Sequence, residues 1–248
     1  MTQARAAIVT GGASGIGRAC VEMLAERGWA VTIADLGAED GQALAAAIRS
    51  KGGAAQFVRT DVSDEGAVEA MVRASEEAHG PLWAAINSAG VIGASKPVHD
   101  TTLQEWDRCS NINLRGMFLC VKYQLAAMWP HQRGAIVAVS SAAAVKGLPN
   151  SADYCAAKAG VNGLVRGAAL DAAERNIRIN ALMPGATATP LAARSTASNP
   201  NLGKTRVRPM NRMAAPEEIA SAAVWLVSDE STFATGAAFA VDGGMTIA

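Results

Sequence analysis

Seven short runs rich in apolar and β-branched residues alternate along the chain with longer helical patterns, and this rhythm narrows the fold more than any single motif. The runs are AAIVT (Ala6–Thr10), AVTIAD (Ala30–Asp35), AQFVRTD (Ala55–Asp61), LWAAIN (Leu82–Asn87), GAIVAVSS (Gly134–Ser141), IRINALM (Ile177–Met183) and AAFAVD (Ala237–Asp242). Most are apolar at successive positions, as strands covered on both faces require. Segments between them, such as IGRACVEMLAERG and EGAVEAMVRASEEAHG, show 3.6-residue periodicity and close on glycine. Such alternation predicts an α/β chain, a doubly wound (Rossmann-type) parallel sheet of about seven strands with helices on both faces. With 248 residues, half of them apolar, the chain can bury a sizeable core. No repeat, low-complexity tract or linker divides it, so one domain over 1–248 is expected.

Charge and cysteine usage exclude several classes. Basic and acidic residues balance at 22 each, which argues against a nucleic-acid surface or an anionic membrane. Cys20, Cys109, Cys120 and Cys155 show neither CxxC spacing nor clustering and sit in apolar helical patterns, as core thiols of a reducing compartment do. The opening MTQARAAIVTGG enters a strand within a few residues and shows no leader pattern. No apolar run approaches the roughly 20 residues that span a bilayer. A cytoplasmic location is the expectation, with no metal, since no His/Cys/carboxylate cluster is present. His79, His99 and His131 read as surface or loop residues without a role.

Two stretches break the rhythm. Pro184 to Ala215 is rich in proline, poor in apolar runs and without evident secondary structure; a connection that long is a lid, a binding loop or a disordered segment. A substrate lid over 186–212 is expected. The helical patterns over 112–129 and 152–172 carry few charges, which means burial on several sides. Ala156, Gly160, Gly163 and Gly167 let another helix approach closely, either within the subunit or from a second copy. The oligomeric alternative is preferred, as a homo-oligomer, a tetramer built from dimers packed through these two helices.

The first strand runs into TGGASGIG (Thr10–Gly17), which opens a helix. Gly11, Gly15 and Gly17 permit a tight turn and let backbone approach a pyrophosphate, whose charge a helix N-terminus favours. The spacing is GxxxGxG, not GxGxxG, and glycine turns also serve purely structural needs. Asp35, ending the second strand, adds a carboxylate that can accept from an adenosine ribose and would repel a 2′-phosphate. Neither Ser14 nor Leu36 is basic, so NAD is favoured over NADP. Asp61 can likewise meet the adenine.

At the same sheet edge stand Asn87-Ser88-Ala89-Gly90, Ser140-Ser141, and a helix carrying Tyr154 and Lys158. With these, the ordered set resembles the short-chain dehydrogenase/reductase family in its roughly 250-residue, single-domain subgroup. It consists of TGGASGIG, Asp35, Asp61-Val62, NSAG, Asn113 in NINLRG, Ser141, Tyr154-x-x-x-Lys158, Asn180, Pro184-Gly185, Thr189 and VDGG. The likeness spans essentially the whole chain; the departure is Ser88, where the family commonly has asparagine.

The resemblance implies roles. Tyr154 is the general acid in ketone reduction and, as its anion, the general base in alcohol oxidation. A free phenol titrates near 10, and Lys158, one turn on, supplies charge that stabilises the phenolate. Ser141 holds the substrate oxygen, its spacing to Tyr154 favouring it over Ser140, and Asn113 holds a water that links Lys158 to solvent. Ile16, Leu36, Val62, Asn87, Ala89, Gly90, Pro184, Gly185, Thr187 and Thr189 join the glycines, Ser14, Asp35, Asp61, Tyr154 and Lys158 around the cofactor. Ala143, Leu148 and Leu191 join Ser141 and Tyr154 around the substrate.

An NAD(H)-dependent oxidoreductase of secondary alcohols and ketones is the expected activity. A 3-oxoacyl-[acyl-carrier-protein] reductase shares the architecture, but its usual NADPH conflicts with Asp35. A non-catalytic NAD sensor would lack the tyrosine or lysine, and NAD-using epimerases carry a longer C-terminal part. Ile92, Val145, Leu148, Leu191 and Met210 suit a cyclic, aryl or alkyl alcohol. Lys146, Arg194, Lys204, Arg206 and Arg208 either receive a carboxylate or phosphate or form a solvated lid surface.

Overall fold

The computed structural model describes residues 4–199, 201–202 and 209–248. One parallel sheet runs in the order β3-β2-β1-β4-β5-β6-β7. Its strands are β1 (Ala6–Thr10), β2 (Ala30–Asp35), β3 (Ala55–Arg59), β4 (Leu82–Asn87), β5 (Gly134–Val139), β6 (Ile177–Pro184) and β7 (Ala238–Val241). The successive apolar residues split between two cores, as the two-residue period of a strand dictates. Ala7, Val9, Ile33, Ile86 and Val137 pack under α1 (Gly15–Glu26), α2 (Ala38–Ser50) and α8 (Pro216–Val227). Ile8, Ala85, Ile136 and Ile179 pack under α3 (Glu65–His79), α5 (Gly116–Met128) and α6 (Ala152–Ala172). Each fully buried aliphatic side chain contributes about 1.5–3 kcal/mol through its transfer from water.

Strand order reverses between β1 and β4, which opens a crevice at their carboxyl ends. Three strands stop short of their expected ends, β3 at Arg59, β5 at Val139 and β7 at Val241. Asp61, Ser140 and Ser141 therefore fall in loops beyond the sheet, at its carboxyl edge.

The segment after β6 differs from expectation. It contains a helix, α7 (Pro190–Ser198), where no secondary structure is evident in the sequence. The Thr189 hydroxyl accepts from the Ala192 N–H at 3.1 Å, and Pro190 occupies the first helical position, where its missing N–H costs nothing. Asn199 ends α7 and donates to the Pro149 carbonyl at 2.8 Å, tying it to the loop before α6.

A capping box of Thr102 and Glu105 starts α4 (Leu103–Ser110), which runs into α5 through one turn of π-helix, Asn111–Arg115. The charge-poor helices do keep an outward strip: Phe118 on α5 is 47% exposed and Leu170 on α6 is 80% exposed. Gly160 packs within the chain, against Leu114, while Gly163 and Gly167 face open space. Cys20, Cys109 and Cys120 are buried and Cys155 half-buried, all as free thiols. Burial pushes Cys20 and Cys120 up to about 12, so they stay protonated and inert.

Candidate active site

A cavity of about 460 Å³ lies over the β1/β4 crevice, and nearly every residue expected at the site lines it. Gly11, Ser14, Gly15, Ile16, Asp35, Leu36, Asp61, Val62, Ala89 and Gly90 form one end. Asn113, Ser141, Ala143, Leu148, Tyr154 and Lys158 form the middle, with Pro184, Gly185, Thr187, Thr189 and Leu191 opposite. Two expected residues do not line it. Gly17 sits one step inside α1, where a Cβ would strike the Gly11 carbonyl. The Asn87 amide is paired reciprocally with Gln124 of α5, at 2.7 and 2.8 Å, which ties β4 to the core.

The glycine turn fits a dinucleotide. Gly11 and Gly15 adopt φ of +65° and +53°, and a Cβ on Gly11 would lie 2.8 Å from the Ala89 nitrogen. Only glycine leaves that floor open. No side chain caps α1 and no acidic residue stands in its first turn, so its N–H groups face the cavity end uncompensated. The Asp35 carboxylate is oriented by N–H groups of Ala13 and Gly37, both at 3.0 Å. Beside it Leu36 is 54% exposed, apolar where a 2′-phosphate would call for a cation. Asp61 spends Oδ1 on the N–H and hydroxyl of Ser63, which leaves Oδ2 for a ligand.

At the chemical end the two serines separate. Ser140 donates its hydroxyl to the Lys158 carbonyl at 3.0 Å, which pins α6 to the end of β5. The Ser141 hydroxyl is bonded to Tyr154 and accepts from the Ala143 N–H at 3.1 Å. The Lys158 ammonium is buried, donates to the Val139 carbonyl at 2.8 Å and stands 5.7 Å from the Tyr154 ring centre. Burial pushes the Tyr154 phenol up to about 12, with the Ser141 hydrogen bond acting against it. Burial also pushes Lys158 down to about 8. In this arrangement desolvation outweighs the Ser141 hydrogen bond at Tyr154, and the Lys158 ammonium is turned toward Val139.

Asn113 lies in the π-turn and clamps the loop after β4. Its oxygen accepts from Val91 N–H at 3.1 Å, and its amide donates to the Val91 and Cys109 carbonyls at 3.1 and 3.0 Å. Turning this side chain inward asks the helix for one extra residue, a common cause of π-turns at functional sites. A second clamp went unseen in the sequence. The buried Asp153 carboxylate accepts from Ala94 N–H at 2.7 Å and Tyr154 N–H at 2.8 Å. A Cβ on Gly93 would overlap that carboxylate, so the loop and α6 meet only through glycine.

Of the apolar candidates, Ile92, Leu148 and Leu191 line the cavity. Val145 and Met210 are 62% and 60% exposed and lie outside it. Leu202 and Met245 line it unexpectedly. Lys146 explains the second, since its ammonium donates to the Met245 and Ala248 carbonyls at 2.8 and 3.2 Å and holds that segment against the site. Lys146 is thereby spent, and Lys204, Arg206 and Arg208 lie outside the described residues. Arg194 does line the cavity. Among the described residues, no group of three His, Cys, Asp or Glu could hold a metal ion, and no helix is long and apolar enough to cross a membrane.

Fold and site together define a dinucleotide-binding α/β protein whose crevice places a tyrosine, a lysine and a serine at one point. A family model described as enoyl-(acyl carrier protein) reductase matches residues 11–246. The 2,5-dichloro-2,5-cyclohexadiene-1,4-diol dehydrogenase of Sphingobium indicum is 43% identical over 96% of each chain. The cis-4-hydroxycyclohexanecarboxylate dehydrogenase of Sinomonas cyclohexanicum is 44% identical over 98% of this chain and 96% of its own. The crystal structure of levodione reductase superposes with a TM-score of 0.95 at 33% identity, covering 100% of both chains. The chain belongs to the short-chain dehydrogenase/reductase family, whose members bind a nicotinamide cofactor. Its relatives are dehydrogenases and reductases of alcohols and ketones.

Proposed function

We propose that this chain is an NAD(H)-dependent oxidoreductase that interconverts a cyclic secondary alcohol and its ketone. The carrying observation is one cavity with Asp35 at one end and Ser141, Tyr154 and Lys158 at the other. The ring alcohols in the names of two relatives and the apolar Ile92, Leu148, Leu191 and Leu202 support a cyclic substrate.

NAD, held by Gly11, Ser14, Gly15, Asp35, Val62 and Thr189, would supply the acceptor or donor of the hydride. Ser141 holds the carbinol oxygen against the Tyr154 hydroxyl. In oxidation Tyr154 takes the carbinol proton, and in reduction it returns one to the ketone oxygen. Lys158 lends charge to the phenolate once its ammonium turns from Val139, a short move because Tyr154 stands one helical turn away. Asn113 sits where a water could join Lys158 to solvent; a Cβ on Gly90 would lie 2.8 Å from the Asn113 oxygen and 3.7 Å from the Lys158 nitrogen.

Steady-state assays of cyclohexanol and cyclohexanone with NAD(H) and NADP(H) in parallel test this reading. Preference for NAD(H) is expected. Asp35→Ser combined with Leu36→Arg shifts the ratio of the two kcat/KM values toward NADP(H) by about 100-fold or more, since a carboxylate is removed and a guanidinium added. Wild-type preference for NADP(H) would refute the Asp35 argument, and nucleotide binding without turnover would favour a sensor.

The outward strip of α5 and α6, with Phe118, Leu170, Gly163 and Gly167, supports a homotetramer built from dimers that meet on these helices. Light scattering coupled to gel filtration should give four chains, and Gly163→Glu with Gly167→Glu should give smaller species. A wild-type monomer contradicts the assembly.

A further inference from the structure

A second cleft, of about 360 Å³, opens beside the cavity and shares with it Val91, Ile92, Gly93, Leu191 and Arg194. Its remaining lining is Ala94, Glu105 and Arg108. None of the glycine turn, Asp35 or Leu36 belongs to it, so it lies on the substrate side and away from the nucleotide.

The charges of this cleft do not cancel. The Glu105 carboxylate is already engaged by the Lys96 ammonium at 2.6 Å and by the Thr102 N–H and hydroxyl, both at 3.0 Å. These contacts hold its acid well below the usual range, at about 2, so it remains an anion with its own cation. Arg108 and Arg194 have no such partner among the described residues, whereas Arg18, Arg178 and Arg212 do. Among the described residues Arg194 is also the one charged group lining the substrate side of the main cavity besides Lys158, since Asp35 and Asp61 stand at the nucleotide end.

Both arginines stand on fixed backbone. Arg194 follows Leu191 by three positions on α7, so both share the face that lines the two cavities. Arg108 projects from α4, whose start is fixed by the Thr102 capping box. The opposite wall, Val91 to Ala94, is clamped by Asn113 and by Asp153. A wall of fixed backbone with two unmatched guanidiniums is suited to a planar oxyanion, which arginine binds through two parallel N–H···O bonds.

We infer that Arg194 and Arg108 form an anion subsite, and that the preferred substrate is a cyclic secondary alcohol carrying a carboxylate. The carbinol lies at Ser141 and Tyr154, and the carboxylate reaches past Ile92 and Leu191 into the second cleft. The inference rests on the alcohol-oxidising reading for its chemistry, but binding at the cleft is independent of turnover.

The test compares a hydroxycyclohexanecarboxylic acid with its methyl ester as substrates for the full chain. The acid is expected to be preferred by about 10- to 100-fold in kcat/KM, mostly through KM, and the preference should shrink with added salt. Arg194→Leu should reduce the acid-to-ester ratio about tenfold or more, Arg108→Leu less, and Arg194→Lys should restore part of it. Equal use of acid and ester by the wild type, or a proportionate fall for both in Arg194→Leu, overturns the subsite. Calorimetry with cyclohexanecarboxylate, which has no carbinol, separates the two readings. Binding that Arg194→Leu abolishes, with no turnover of any alcohol, keeps the subsite and removes the proposed reaction. Turnover of cyclohexanol with no carboxylate binding removes the subsite alone.

Discussion

Tyr154→Phe lowers kcat for alcohol oxidation by about 10³-fold or more, while nucleotide affinity and thermal stability change little. The substitution keeps the ring against its neighbours and removes only the hydroxyl that faces Ser141. General acid–base groups contribute typically 10²- to 10⁴-fold, and among the described residues the chemical end of the cavity offers only the cationic Lys158 and Arg194 besides Tyr154. Stopped-flow single turnovers would place the loss in the chemical step. Retained turnover in the variant would remove Tyr154 from the mechanism.

Lys158→Met should separate activity from stability in opposite directions. Activity falls about 10²- to 10³-fold, because a preorganised charge beside the developing phenolate is lost. Stability rises, because burial holds the folded-state pKa of Lys158 at about 8, below its ordinary 10.5. The sign follows from proton counting: the unfolded chain binds the proton more tightly than the folded one. The cost of the buried ammonium is therefore absent above about pH 10.5, grows as pH falls, and is complete below about pH 8. Its removal is worth about 2–3 kcal/mol, less about 1 kcal/mol for the lost bond to Val139. Thermal denaturation at pH 7 should show Tm raised by several degrees, at about 2–4 °C per kcal/mol for a chain this size. The gain should shrink toward pH 10; a variant less stable than wild type at pH 7 would show that Lys158 holds the fold together.

Much of this architecture is written in local pattern. The successive apolar residues of Ala7–Val9, Ile136–Val139 and Ala181–Leu182 can be satisfied only by strands covered on both faces, and the structure divides them between two cores. The glycine turn, Asp35 and the Tyr154–Lys158 pair were legible because each shows as a local pattern at a strand end or on a helix face. What escaped depends on distant partners. Asn87 lines up with the cofactor residues in sequence, yet Gln124 of α5 claims its amide. Asp153 reads as a first-turn helix acid, and only the approach of Ala94 shows it to be a clamp. Arg108 gained meaning when α4 and α7 came together around one cleft. The missed helix α7 is a different case. Thr189-Pro190 is a start signal visible in the sequence, masked by the prolines and polar residues around it.

Transfer of deuterium from C1-deuterated cyclohexanol tests the central claim most directly. With the wild-type enzyme and NAD, the label should appear on the nicotinamide ring of the NADH formed, one atom per ketone, and turnover under hydride-limited conditions should slow relative to the protiated alcohol. Ketone formed without label on the nucleotide, or no oxidation of any cyclic alcohol in the presence of NAD, would contradict it.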